Sequence, residues 1–280
     1  MIKTKFNSKS LRLFDVTLRD GIQSIPKLYS FNDKKKILND IISRRPNSIE
    51  IGSIVSSKIL PQMNNSIELF KYANEFNKNK NNSIDFYMLV PTLKSLEIAN
   101  INNINNVSFI TSVSDSFQRK NINKTLVETK NEIRNMMDNI SSNPEKKVKL
   151  YISCINKCPI QGIININKLL NEILYYYYTY ENLDEICLSD TCGSLTYSEF
   201  SQIIKELEKT HIDLSKFSLH LHNQNEKQNV KDIITYSIKK GIYRFDVSHM
   251  PELGGCSVTM KNMSGNLSYD QIYECYNKIK

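Results

Sequence analysis

The sequence predicts a (β/α)8 TIM barrel, an α/β fold, on three observations. Eight short apolar runs alternate with amphipathic ones along 280 residues, chemically reactive side chains fall at the ends of the apolar runs, and no long Pro/Gly/Ser linker divides them. Strict alternation of strand and helix implies a parallel sheet. Eight such pairs close most naturally into a barrel whose active site lies at the C-terminal ends of the strands. A chain of this length can bury the core such a barrel needs. We therefore expect one domain, 1–280, with a rim loop and last helix over 250–280.

The strands are read in LRLFDVTL (11–18), SIEIGSI (48–54), IDFYMLV (84–90), NVSFITSV (106–113), KVKLYISC (147–154), EICLSD (185–190), FSLHLH (217–222) and YRFDVSH (243–249). Helical periodicity lies between them, as in FNDKKKILNDIISR, SEFSQIIKELEKT and EKQNVKDIITYSIKK, and SYDQIYECYNKIK follows the eighth strand. The run Tyr175 to Tyr178 is read as helix surface.

Composition narrows the function classes. Thirty-seven basic against 29 acidic residues give a net charge of +8. Yet the lysines of Lys34–Lys36, Lys78–Lys80 and Lys146–Lys147 are scattered and form no single patch, so no nucleic-acid partner is expected. The spacings Cys154-x3-Cys158 and Cys187-x4-Cys192 do not match a CxxC zinc site, and reduced thiols are expected. No stretch approaches the roughly 20 apolar residues of a membrane span, and the basic N-terminus has no apolar segment behind it. The expectation is a cytoplasmic protein with no membrane partner.

The predicted rim carries the chemistry. The first strand ends in Thr17-Leu18-Arg19-Asp20-Gly21, the second carries Glu50, the fifth ends at Ser153 and Cys154, the sixth in Asp190-Thr191, the seventh in His220-Leu221-His222, and the eighth holds Asp246. Side chains two apart on a strand leave the same face, so His220 and His222 aim one way and Leu221 the other. Asp20, read as delivered by a strand neighbouring the seventh, would join them around a divalent cation with positions open for substrate oxygens. Mixed nitrogen and oxygen ligation suits Mg or Mn, whereas zinc usually takes a tetrahedral protein set. The other reading has both histidines holding rim loops by hydrogen bonds, without metal. On a regular strand Arg19 would point away from Asp20; a loop there would let both reach the cavity. Only eight glycines occur, and Gly21, Gly52, Gly193, Gly254, Gly255 and Gly265 all fall in predicted rim loops, where positive φ or close ligand approach is expected. Cys256 follows two of them, a place suited to a mobile, exposed thiol.

These residues resemble a known family. LRDGIQ (18–23), HLHN (220–223) and the LGGC…SGN segment (253–266) are similar to the metal-dependent TIM-barrel superfamily of Claisen-type lyases and synthases. VSSKILPQM (55–63), FQRKNIN (117–123), YISCINKCPIQG (151–162) and LSDTCG (188–193) narrow the resemblance to 3-hydroxy-3-methylglutaryl-CoA (HMG-CoA) lyase. The resemblance implies retro-Claisen cleavage of HMG-CoA, or a similar 3-hydroxy-acyl-CoA, to acetyl-CoA and acetoacetate. It implies Asp20, His220, His222 and Asn266 as ligands of a Mg or Mn ion. Arg19 would stabilise the enolate and Cys256 protonate it, while His220 or Asp20 moves the first proton. Gln23, Glu50, Asp190 and Thr191 are implied at the substrate pocket, Glu50 and Asp190 as residues that orient ligands and Arg19. The partner implied is an acyl-CoA substrate, and a homodimer is compatible with the pattern.

The chain departs from that pattern near the thiol. Pro251-Glu252 precedes LGGC where relatives carry small residues and glycine, and Ser257-Val258-Thr259 replaces Pro-Tyr-Ala. Only one helix follows SGN. Two further readings stand beside the lyase: an acyl-CoA/2-oxoacid synthase of the isopropylmalate or homocitrate type, and a barrel that binds metal or acyl-CoA without turnover.

Overall fold

A computed structural model describes residues 10–78, 84–141, 143, 145–223, 226–255, 258 and 265–279. Eight parallel strands close into a barrel: β1 (Arg12–Asp15), β2 (Ser48–Ser53), β3 (Asp85–Leu89), β4 (Asn106–Ser112), β5 (Lys147–Ser153), β8 (Glu185–Ser189), β9 (Phe217–His220) and β10 (Arg244–Val247). Two more strands, β6 (Lys157–Cys158) and β7 (Gly162–Ile163), form a small antiparallel hairpin after β5 that the apolar pattern does not announce. Around the barrel the strand order is β1-β10-β9-β8-β5-β4-β3-β2, with β2 closing on β1. All eight predicted strands form, each shorter at its C-terminal end than its apolar run.

Alternation along each strand explains why the barrel stands. One face of each strand is mainly apolar and packs on the helices, as with Ile49, Phe86, Val107, Leu150, Leu188 and Leu219, all within the main core. The other face points into the barrel, and there the apolar residues form only two small clusters, Phe14–Val16–Tyr87 and Leu89–Tyr151–Cys187. Interior positions left over are polar or charged. Lys149 (1% exposed), Glu50 and Asp246 are all buried.

The helices start where capping chemistry allows. Ser30 with Asp33 opens α1 (Phe31–Ser43), Thr92 with Ser95 opens α3 (Leu93–Ile101), Thr196 with Glu199 opens α7 (Tyr197–Glu208) and Ser268 with Gln271 opens α9 (Tyr269–Asn277), each as a reciprocal capping box. The remaining helices are α2 (Ser66–Lys78), α4 (Asp115–Ile122), α5 (Leu126–Ser141), α6 (Ile166–Thr179) and α8 (Lys227–Lys239). Among the described residues no helix is long and apolar enough to cross a membrane.

Four expectations are corrected. First, β1 and β9 are not neighbours: β10 lies between them and pairs with both. Second, Gly52 is within β2 rather than in a loop, and a Cβ there would lie 2.3 Å from the Ser66 hydroxyl oxygen, so its need is close packing of α2. Third, the tyrosine run is only partly surface, since Tyr176 is fully buried and shares a hydrogen bond with Thr111. Fourth, Asp246 lies inside the barrel beside Lys149 rather than at a free rim position.

Candidate active site

The first strand does not run on through Leu18. After Asp15 the chain turns into one turn of π-helix, Thr17–Gly21, in which the Gly21 amide donates to the Val16 carbonyl five residues back at 3.1 Å. Such turns concentrate at functional sites. This one brings Arg19 and Asp20, adjacent in sequence, to the same cavity, where both are buried and 2.8 Å apart from Nη1 to Oδ1. The Asp15 carboxylate fixes the turn by accepting from the Thr17 amide, the His249 amide and the Tyr269 hydroxyl.

Arg19 is oriented from the second strand. Its Nε donates to Glu50 Oε2 at 2.5 Å, the Tyr151 hydroxyl donates to the same oxygen at 3.2 Å, and the guanidinium lies 5.0 Å from the Tyr151 ring centre. Burial opposes the arginine's charge, but Glu50 and Asp20 outweigh it and hold the guanidinium firmly protonated. Glu50 does not line the cavity; it stands behind Arg19.

Asp20 carries the same balance with opposite sign. Burial favours its neutral form, yet the Arg19 guanidinium above all, with the Gly255 amide, holds the carboxyl well below the usual range. Oδ1 accepts from Arg19 and from Gln23, and Oδ2 accepts from the Gly255 amide and from Asn266 Nδ2, each at 3.0 Å. His220 Nε2 stands 3.7 Å from the same Oδ2. The strand β9 ends at His220, and His222 continues through a lone antiparallel bridge to Asn266. Leu221 turns the other way into the core. Burial first, and the neighbouring His220 second, push the His222 ring down to about 3, so the imidazole stays neutral with a free lone pair. Gly254 makes room for Asn266: a Cβ at that position would meet the amide at 2.6 Å.

One ligand atom from each of Asp20, His220 and His222 lies within 4.8 Å of the others. Donors around one divalent ion, at about 2.1–2.4 Å each, are no more than about 4–5 Å apart. His222 Nδ1 and Asn266 Oδ1 are buried without a hydrogen-bond partner, a costly state for polar atoms unless something else satisfies them. A carboxylate, two imidazoles and an amide oxygen fit a divalent cation.

The remaining predicted residues separate. Thr191 lines the cavity, and its hydroxyl oxygen accepts the Cys154 amide at 2.7 Å. Gln23 lines it as well and bridges Asp20 to the Gly255 carbonyl. Asp190 does not: its carboxylate is committed to the Ser194 and Leu195 amides and shapes the loop after β8, where a pocket residue orienting Arg19 was expected. Cys256 lies outside the described residues. Tyr151 and Lys149 were missed. Their signal was present, since KVKLYIS places Lys149, Tyr151 and Ser153 on one face of the fifth strand.

The cavity measures about 750 Å3. Arg19, Asp20, His220 and His222 form one part of its wall; Ile54, Leu60, Ile98 and Phe117 make an apolar part, and the exposed Lys94 and Lys120 border it. Against known proteins, the HMGL-like family model matches residues 10–237.

The chain belongs to the HMGL-like family.

Its curated relatives include the 3-hydroxy-3-isohexenylglutaryl-CoA/hydroxymethylglutaryl-CoA lyase of Pseudomonas aeruginosa, 26% identical over 97% of this chain and 86% of that protein. A hydroxymethylglutaryl-CoA lyase of Bacillus subtilis is 26% identical over 94% of this chain and 84% of its own length. Among solved structures, the hydroxymethylglutaryl-CoA lyase of Pseudomonas aeruginosa superimposes with a TM-score of 0.83 at 25% identity, covering 97% of this chain and 86% of that one. An HMG-CoA lyase from Acinetobacter baumannii, solved with coenzyme A and 3-methylmalate, shares the fold with a TM-score of 0.83 at 22% identity, over 98% of this chain and 85% of its own. This HMGL-like chain is thus a carbon–carbon lyase of that family.

Replacing a ligand tests the donor set directly. His222→Ala is expected to weaken Mn binding by more than the roughly 10- to 100-fold typical of losing a residue that merely supports a ligand. Equilibrium dialysis checks it, and an unchanged metal-to-protein ratio would refute the assignment.

Proposed function

We propose that this lyase cleaves HMG-CoA, or a similar 3-hydroxy-acyl-CoA, to acetyl-CoA and acetoacetate or the corresponding 3-oxo acid, with Mg or Mn as cofactor. The observation that carries the reading is the meeting of Asp20, His220 and His222 beside Arg19 in the wall of one cavity, in a chain of this family. A divalent cation held by these three residues and Asn266 would supply the positive charge that gathers the substrate's carboxylate and tertiary hydroxyl and makes that hydroxyl acidic.

The chain's own groups do the rest. Asp20, held strongly ionised by Arg19, is a poor base, which leaves His220 Nε2 to take the hydroxyl proton while that nitrogen is not engaged by the cation. The released electron pair makes the ketone and expels the acetyl-CoA enolate. Arg19, already held in place by Glu50 and Asp20, has further N–H groups for the enolate oxygen at no cost in reorganisation. Cys256 is proposed to protonate the enolate carbon. The residue before it in sequence, Gly255, lines the cavity and is tied to Asp20, Gln23 and Ser24, which supports that reading. The apolar wall suits the pantetheine arm of an acyl-CoA, and Lys94 and Lys120 suit its phosphates.

Purified protein with HMG-CoA and Mg or Mn is expected to release acetoacetate in a coupled assay. Silence there, with thiol release from acetyl-CoA plus a 2-oxoacid, would assign the synthase instead; silence in both, with a ligand-induced rise in Tm, would assign a binding barrel. Arg19→Met should lower kcat by roughly 100- to 1,000-fold with KM little changed, the signature of a contact made in the transition state. Equal losses in both would mark the arginine as structural. For the thiol, Cys256→Ala is expected to cost roughly 100-fold or more in turnover with Mn content unaltered; full activity in that variant would remove Cys256 from the mechanism.

A further inference from the structure

We propose that Asp246, clamped by Lys149, is a positioning residue that locks His220 in its Nδ1–H tautomer and so turns the Nε2 lone pair toward Asp20 and the cavity. Strand register begins the argument. Phe245 of β10 pairs with Leu219 of β9, so Asp246 stands level with His220 on the adjacent strand, both facing the barrel interior. Asp246 Oδ2 is 3.1 Å from His220 Nδ1, while Oδ1 accepts a short hydrogen bond from Lys149 Nζ. The other imidazole nitrogen, Nε2, is the one 3.7 Å from Asp20.

The chemistry of Lys149 decides the tautomer. This lysine is 1% exposed, its Nζ lies 3.0 Å from Glu185 and 3.6 Å from the centre of the Phe14 ring, and Asp246 is 2% exposed. The Lys149 ammonium can only donate, and it holds Asp246 Oδ1, so Asp246 meets it as a carboxylate. An ionised carboxylate only accepts. Whichever proton the neutral ring carries must therefore sit on Nδ1, and Nε2 is left as the acceptor. A hydrogen-bonded partner on one ring nitrogen is the general means by which a protein sets which nitrogen stays free for a ligand. Lys149 also keeps Asp246 from turning away, since another rotamer would leave the buried ammonium with Glu185 alone.

Asp246→Asn separates orientation from bulk. Asparagine has one carbonyl oxygen, and Lys149 can only donate, so that oxygen goes to Lys149 and the amide NH2 faces His220. A donor opposite Nδ1 forces the proton to Nε2 and removes the lone pair from the site. With four histidines in the chain, long-range 15N spectra of the imidazoles without metal resolve the tautomers, and His220 is assigned by its absence in His220→Gln. The wild type is expected to show Nδ1–H, and Asp246→Asn to show Nε2–H with Mn affinity lower by roughly 10- to 100-fold. An Nε2–H signal in the wild type overturns the proposal and needs no variant to fold. So does a folded Asp246→Asn that keeps Nδ1–H and wild-type affinity. The affinity arm rests on the cation reading above: if wild type shows Nδ1–H but binds no Mn, that reading fails while the orientation of His220 by Asp246 stands.

Discussion

Charge enclosed by a ring of eight strands has no water layer to neutralise it and must be balanced where it stands. The interior of this barrel is organised around that constraint. Arg19 is balanced by Glu50 and Asp20, and Lys149 by Asp246 and Glu185. His220 joins the two groups, facing Asp20 through one ring nitrogen and Asp246 through the other. The balance sets protonation without help from solvent. Asp20 is ionised because Arg19 is beside it, and His222 is neutral because burial and His220 leave it no other state. Ligand-ready groups are therefore a by-product of how the interior holds its charge.

The rim is held by the same economy of polar atoms. One carboxylate, Asp15, ties the exit of β1, the exit of β10 and the start of α9 through three hydrogen bonds. Asn223 does the equivalent after β9, donating to the Asn266 carbonyl and accepting from Gln271. Asn266 thus arrives at the site on backbone anchored from two sides, although it is far from Asp20 and His222 in sequence. Gly255 brings its own amide to Asp20, which couples the position of that carboxylate to the glycine segment. A side chain on Gly265 would collide with the Pro251 carbonyl, so the glycine lets the backbone of Pro251-Glu252 pack against it.

The barrel was legible because strand and helix periods are local properties of the chain. Asp20, His220 and His222 were proposed as donors from the strand ends and Asn266 from the family's motifs, and one ligand atom of each of the first three lies within 4.8 Å of the others. The misplacements have physical causes. A strand was drawn through Leu18 because a π-turn of apolar and polar residues has no period of its own to announce it. Asp190 was read as a pocket residue because an acid at a strand end looks alike whether it faces a ligand or caps a loop; here the Ser194 and Leu195 amides claim it.

The sequence by itself determined the alternation that closes eight strands, the apolar faces that hold the helices on, and the reactive side chains Arg19, Asp20, His220 and His222 that reach the cavity. Only the tertiary structure decided the partners. Lys149 was counted inside an apolar run, and its meaning depends on Glu185 and Asp246, which come from strands 36 and 97 positions later. That β10, rather than β1, lies against β9 follows from ring closure, and it is what sets a carboxylate behind His220. Periodicity is written between near neighbours in the chain, whereas the electrostatic balance of a closed interior is set between residues that meet only when the ring is complete.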